Sequence, residues 1–218
     1  MDTSKLIDNL TQNLQPVRPL PSPIIRALIV SLVALALVIK MISILGGPRA
    51  DWVSTLQNPL FVSGDLLMLA AGFLSAIAAF ILSVPDVKIR KTVIALLCAA
   101  SAIWAGICLY ALASLTREGV QAEMADIAKS SACFKALIFM LALPLIISFF
   151  MALRAAPVWR GWTGYSLTLS MASFGAFGMR FFCPSDSYAH LLLWHFLPVV
   201  ILSVAGVILG RVALRFRL

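Results

Sequence analysis

The sequence predicts an all-α polytopic membrane protein: a six-helix transmembrane bundle preceded by a short cytoplasmic amphipathic helix. Three observations carry that prediction. Apolar residues make up 61% of the 218 and charged residues only 12%, against roughly 45–50% and about 25% in a soluble domain. A water-soluble core of this size cannot cover so much apolar surface, which excludes a soluble enzyme, a disordered chain and a disulfide-stapled secreted domain. Six stretches, near 24–45, 62–84, 92–115, 134–153, 163–182 and 189–210, are each long and apolar enough to cross about 30 Å of hydrocarbon as helix. No stretch alternates with period two, so a β-barrel has no support.

Taken in order, residues 1–23 form the first unit and 24–218 the second. Leu6, Ile7, Leu10 and Leu14 share one helical face, because their spacings follow the 3.6 period. Thr3 or Ser4 can cap that helix. Gln15-Pro16 ends it, and Pro16, Pro19, Pro21 and Pro23 keep the following chain extended. With Lys5 as its one base the helix is poorly suited to lie on a bilayer, since surface helices are usually Lys/Arg-rich. A groove on a partner protein suits its apolar face better. The first span is too long for a signal-peptide core and follows a polar leader, so it reads as a retained span. The link Thr116–Cys133 is polar, and the other links are short. Successive helices are therefore expected to be antiparallel neighbours.

Charge sets the orientation. With both termini in the cytoplasm, the inner segments hold Lys5, Arg18, Arg26, Lys88, Arg90, Lys91, Arg154, Arg160, Arg211, Arg215 and Arg217 against Asp2, Asp8 and Asp86. The outer bases Lys40, Arg49, Arg117, Lys129, Lys135 and Arg180 are balanced by Asp51, Asp65, Glu118, Glu123, Asp126 and Asp186, so the whole net charge of +8 falls inside. This is the positive-inside pattern, and it accounts for the basic balance without direct nucleic-acid binding.

The spans carry small-residue stripes: Ala71, Ser75, Ala79 and Ser83 in the second, Gly164, Thr168, Ala172 and Ala176 in the fifth, Gly206 and Gly210 in the sixth. Such stripes let helix backbones approach closely in lipid. Packing inside one bundle is the plainer reading and a homodimer contact the sharper one. Pro144 and Pro198 tend to kink the fourth and sixth spans. No charged residue sits at the centre of a span, where ion-coupled carriers usually need one. A small transporter or channel with a metal site on its outer face is thus the alternative reading, not the first.

Four cysteines are present. Cys98 and Cys108 lie within the third span and read as small apolar filler. Cys133 opens the fourth span and Cys183 follows the fifth, so both fall at the outer boundary despite their distance in the chain. Around Cys183 the sequence runs Cys183-Pro-Ser-Asp186, then His190, Trp194 and His195, and these are the only two histidines. Two thiols, two imidazoles and the Asp186 carboxylate suit a soft or borderline ion, Cu(I) or Zn(II). On a regular α-helix His190 and His195 stand about 140° apart, so His190 is the easier partner for the thiols. The plainer alternative is a structural disulfide with His and Trp anchoring the interface. There is no Cys-x-x-Cys, so a thiol-exchange enzyme is poorly supported, and no enzymatic activity is expected.

The chain resembles the NrsF-type membrane anti-sigma factors. The marks are the leading Leu6-Ile7 and Leu10 helix, Pro16-Val-Arg18-Pro-Leu-Pro21-Ser-Pro-Ile-Ile-Arg26, Asn58-Pro59-Leu-Phe61, Ala79-Phe80-Ile-Leu-Ser83-Val-Pro85, Cys133, Arg154-Ala-Ala-Pro157, and Cys183-Pro-Ser-Asp186 with Trp194-His195-Phe-Leu-Pro198. The resemblance implies a six-span protein of the bacterial inner membrane that holds an extracytoplasmic-function sigma factor inactive. It implies that Cys133 and Cys183 are outer cysteines tied to a metal or oxidative stress response, and that the sigma factor is gripped on the cytoplasmic side. The face of Leu6, Ile7, Leu10 and Leu14 is the expected contact.

Overall fold

In the computed structural model the described residues are 3–12, 19–85, 88–125, 127–155 and 157–215, and among them there is no strand. The helices are α1 (Thr3–Thr11), α2 (Pro23–Ile44), the single turn α3 (Trp52–Thr55), α4 (Pro59–Leu82), α5 (Arg90–Ala113), α6 (Arg117–Ala125), α7 (Ile127–Leu153), α8 (Arg160–Phe182), the short α9 (Tyr188–His190), a π-helix (Leu191–Phe196) and α10 (Leu197–Ala213). Local chemistry explains the boundaries. Ser22 Oγ accepts from the Ile25 N–H and Pro23 takes the first helical position of α2, where its missing donor is harmless. Gly46 and Gly47 carry φ of 117° and 92°, a region open to glycine, and the Gly47 N–H closes on the Ile42 carbonyl at 2.9 Å. The expected polar link Thr116–Cys133 is itself largely helical: it holds α6 and the first turns of α7.

Among the described residues five stretches, Pro23–Ile44, Phe61–Leu82, Arg90–Ala113, Ser131–Leu153 and Tyr188–Ala213, are long and apolar enough to cross a membrane. The expected span 163–182 is not among them, although it forms most of α8. The reason is its position. Helices α2, α4, α7 and α10 all pack on α8, and most of its residues are buried, including Thr163, Ser166, Thr168, Ser170 and Ser173. A helix enclosed by helices needs small side chains more than apolar bulk, and two of these hydroxyls bond to backbone carbonyls. Ser170 Oγ donates to the Gly72 carbonyl of α4 at 2.7 Å, and Thr168 Oγ1 to the Gly164 carbonyl within α8 at 2.9 Å.

The closest helix pair is α8 with α10. A Cβ placed on Gly164 would fall 2.3 Å from the Gly206 carbonyl oxygen and 2.5 Å from Gly210 Cα, and one on Gly210 would fall 2.2 Å from the Arg160 carbonyl oxygen. The small-residue stripes of the fifth and sixth spans therefore serve packing within the chain. On α4, Phe174 of α8 takes the space over Gly72. Asp65 of α4 pairs with Arg180 of α8 at 3.2 Å, both buried, and Arg180 also lies over the Phe61 ring.

Two further features complete the packing. In the first turn of α2, buried Arg26 donates from Nη2 to the Met151 carbonyl near the end of α7 and lies over the Phe80 ring of α4. Helix α5 is held at its two ends, by Ala78, Leu82 and Leu97 on one side and by Cys108, Ala111 and Leu192 on the other. Between them lies an apolar cavity of about 720 Å³, lined by residues of α4, α5, α8 and α10 such as Met68, Ala100, Trp104 and Ser173.

The α8–α10 contact yields a direct test. Gly164→Ala should destabilise the protein by about 1–3 kcal/mol, as overpacking does, and lower the thermal midpoint in detergent. Gly106→Ala on α5, where a Cβ meets nothing within 4 Å, should leave the midpoint unchanged or raise it slightly.

Candidate functional site

The end of the bundle away from residues 23 and 213 gathers the α2–α4 loop, α6, the start of α7 and the stretch from Cys183 to His195. Cys133 lies in the second turn of α7 and Cys183 caps α8, its N–H donating to the Met179 carbonyl at 2.8 Å. Their sulfurs are 3.3 Å apart. Both thiols are buried and free. Cys98 and Cys108 sit on α5 outside this group, Cys98 exposed and Cys108 buried.

The chain after Cys183 is fixed by two anchors. Ser187 caps α9, its Oγ accepting from the His190 N–H at 3.1 Å. Arg49 reaches across from the loop after α2. Its Nη1 donates to the Cys183 carbonyl at 3.2 Å and to Asp186 Oδ1 at 2.9 Å, its Nη2 to Asp186 Oδ2 at 2.6 Å, and its Nε to Asp51 Oδ1 at 2.6 Å. Its own N–H donates to the Phe181 carbonyl. These hydrogen bonds, Asp51 first and Asp186 second, raise the Arg49 pKa above its ordinary value, and Arg49 in turn holds Asp51 below the usual carboxylate range. Asp186, placed by sequence among the candidate ligands, thus faces the guanidinium, and its carboxylate is not among the donor atoms that converge with the sulfurs.

His190 and His195 both converge on the thiols, against the expectation from a regular helix. The cause is the π-helix between them. A π turn closes its hydrogen bond five residues back, so residues five apart stack on one face. The Leu197 N–H accordingly donates to the Leu192 carbonyl, and the two imidazoles meet edge to face with centroids 5.4 Å apart. Pro198 supplies the local reason. It has no N–H for the carbonyl four residues back, that of Trp194, and its ring crowds that carbonyl. An extra residue in the turn relieves the clash.

His190 Nε2 lies 3.3 Å from Cys183 Sγ. Its Nδ1 lies 2.9 Å from Glu123 Oε2 of α6. His195 is fully buried, and neither of its ring nitrogens has a hydrogen-bond partner. One ligand atom from each of Cys133, Cys183, His190 and His195 lies within 4.8 Å of all the others, and all four residues are buried. A tetrahedral ion with metal–sulfur bonds of about 2.3 Å and metal–nitrogen bonds of about 2.0–2.1 Å needs donor separations of about 3.3–3.8 Å. The donor set and the unpartnered imidazole therefore fit a tetrahedral Cys₂His₂ ion.

On α1, Leu6 and Ile7 are 40% and 55% exposed. The Leu10 side chain and Leu14 lie outside the described residues. Glu123 and Arg49 entered the sequence reading only as charges. Each makes its contact with a residue more than sixty positions away, and no periodicity or motif marks such a contact.

Treatment of the intact protein with diamide, which takes up two hydrogens, should yield one intramolecular disulfide. Peptide mapping should find Cys133 joined to Cys183, two hydrogens lighter than the separate thiols, with Cys98 and Cys108 still open to alkylation. Four free thiols after excess diamide would contradict the sulfur placement.

A family model described as NrsF, negative regulator of sigma F, matches residues 10–216. No curated protein and no solved structure matches the chain.

Proposed function

This chain belongs to the NrsF family of negative regulators of sigma F, and we propose that it holds a sigma factor of the extracytoplasmic-function class inactive at the bacterial inner membrane. In this proposal the sigma factor is released when the pair Cys133 and Cys183 is oxidised or engaged by a metal ion. The observation that carries the reading is the buried cluster of both thiols and both imidazoles at the end of the bundle opposite the amino-terminal arm.

We read the chain as six spans with both termini cytoplasmic. Helix α8 then crosses the bilayer sheathed by its neighbours, and the basic excess lies on the cytoplasmic side. The arm presents α1, whose exposed Leu6 and Ile7 need an apolar partner, because a nine-residue helix is marginal alone. The expected contact face is Leu6, Ile7, Leu10 and Leu14, seated in a groove of the sigma factor.

The signal has a short path. Cys183, His190 and His195 all belong to the α8–α10 hairpin, which is locked at its glycine contact. Cys133 belongs to α7. Oxidation removes one proton and one electron from each thiol, hands both electrons to the oxidant and joins the sulfurs, which draws the start of α7 against the hairpin. The same four residues would hold Cu(I) or Zn(II), which would supply an equivalent cross-link with the thiol protons passing to water. At its other end α7 presents the Met151 carbonyl to Arg26, in the first turn of α2 and just beyond the proline tether of α1. A shift of α7 therefore bears on the base of the arm. Moving a two-state equilibrium from 1:99 to 99:1 takes about 5.5 kcal/mol of differential binding. A structural metal–thiolate site, worth about 10–16 kcal/mol in small zinc domains, has that capacity.

Three variants test this. Leu6→Asp with Ile7→Asp should abolish co-purification of the sigma factor while leaving metal uptake intact. Cys133→Ser with Cys183→Ser should hold the sigma factor but fail to release it on treatment with diamide, Cu(I) or Zn(II); release at native levels would overturn the sensing assignment. Arg26→Gln should keep native metal affinity yet show a blunted release, measured as sigma factor remaining on the membrane fraction.

A further inference from the structure

We propose that Glu123 is the positioning residue of this site: its carboxylate holds His190 in the tautomer and orientation that turn Nε2 toward the sulfurs. The inference rests on the reading of the cluster as a ligand-engaging centre and assigns a part to a residue on a different helix from all four donors.

A carboxylate accepts hydrogen bonds and donates none, so the contact between Glu123 Oε2 and His190 Nδ1 at 2.9 Å places the ring proton on Nδ1. Nε2 then carries the lone pair, 3.3 Å from Cys183 Sγ. The second carboxylate oxygen is engaged as well: Ser187 Oγ donates to Glu123 Oε1 at 3.2 Å. Ser187 meanwhile accepts from the His190 N–H. The carboxylate thus grips both the ring and the capping residue of the turn that presents it. The Glu123 side chain is 11% exposed and that of His190 6%, so water competes little for the contact.

Two comparisons within the molecule sharpen the assignment. His195 lies against the same thiols with no carboxylate on either nitrogen, whereas His190 is held by one. Helix α6 is otherwise a polar segment, yet it lies against α9, where a Cβ on Gly119 would meet Ala189 Cβ at 3.7 Å. It leads directly into α7, so one stretch of chain delivers both Cys133 and the carboxylate that orients His190. Carboxylates that hold a ligating histidine in this way are worth about 10- to 100-fold in metal affinity.

The test uses the full-length protein in detergent, with Zn(II) alone and Cu(I) alone as probes in chelator competition. Glu123→Gln should weaken both by 10- to 100-fold. In a His190→Ala background the same substitution should cause little further loss, because the ring that Glu123 and Ser187 hold is its route to the ion. Unchanged affinity, or a loss that adds to that of His190→Ala, overturns the proposal. Nitrogen-15 spectra of histidine-labelled, metal-free native protein read the tautomer without any variant: a protonated Nδ1 at His190 is expected, and a protonated Nε2 overturns it. If Cys133→Ser with Cys183→Ser binds both ions as tightly as the native protein, the ligand-engaging centre itself falls, and Glu123 with it. If that variant loses binding while Glu123→Gln keeps it, only the role of Glu123 falls.

Discussion

The thiol end of this protein rests on a helix contact made largely of backbone. Where Gly164 faces Gly206 and Gly210, α8 and α10 meet backbone to backbone. Between helices this apolar and this long, close van der Waals contact between small residues sets the pairing. That pairing fixes the hairpin from Arg160 to Ala213 as one body. Cys183, at the end of one arm, and His190 and His195, at the head of the other, are held relative to one another before anything binds. Neighbouring features fasten the hairpin to the rest: the buried Asp65–Arg180 pair toward α4, and Arg49 bonded to both the Phe181 and Cys183 carbonyls.

Much of this architecture was legible in the sequence because it follows from composition and period. Apolar runs of membrane length stand out against any soluble background. Alternation of direction along short links puts Cys133 and Cys183 at one end. Small residues four apart marked close helix packing, without naming the α8–α10 pair or saying whether the contact lay within one chain. Helix α8 marks a limit of hydropathy. Its serines, threonines and glycines lower its apolar content, and neighbouring helices surround it.

The parts of the site that were not legible are those created by contacts across the fold. Pro198 was visible, but that it would convert the preceding turn to π geometry depends on how α10 is held by α8 further along. Without that conversion His195 points away from the thiols. Asp186 looked like a ligand through its nearness in sequence to Cys183 and His190, yet Arg49 claims it. Glu123 was one acid among several in a polar link until α6 folded onto α9.

The π turn has a consequence for how such a centre arises. A π turn is what an α-helix becomes when it accommodates one inserted residue without unraveling on either side. The flanking structure, from the Ser187 cap to the glycines of α10, needs no rearrangement to absorb it. Pairing of the two imidazoles is therefore a matter of chain length over a single turn. Returning these same residues to α geometry would carry one imidazole off the shared face.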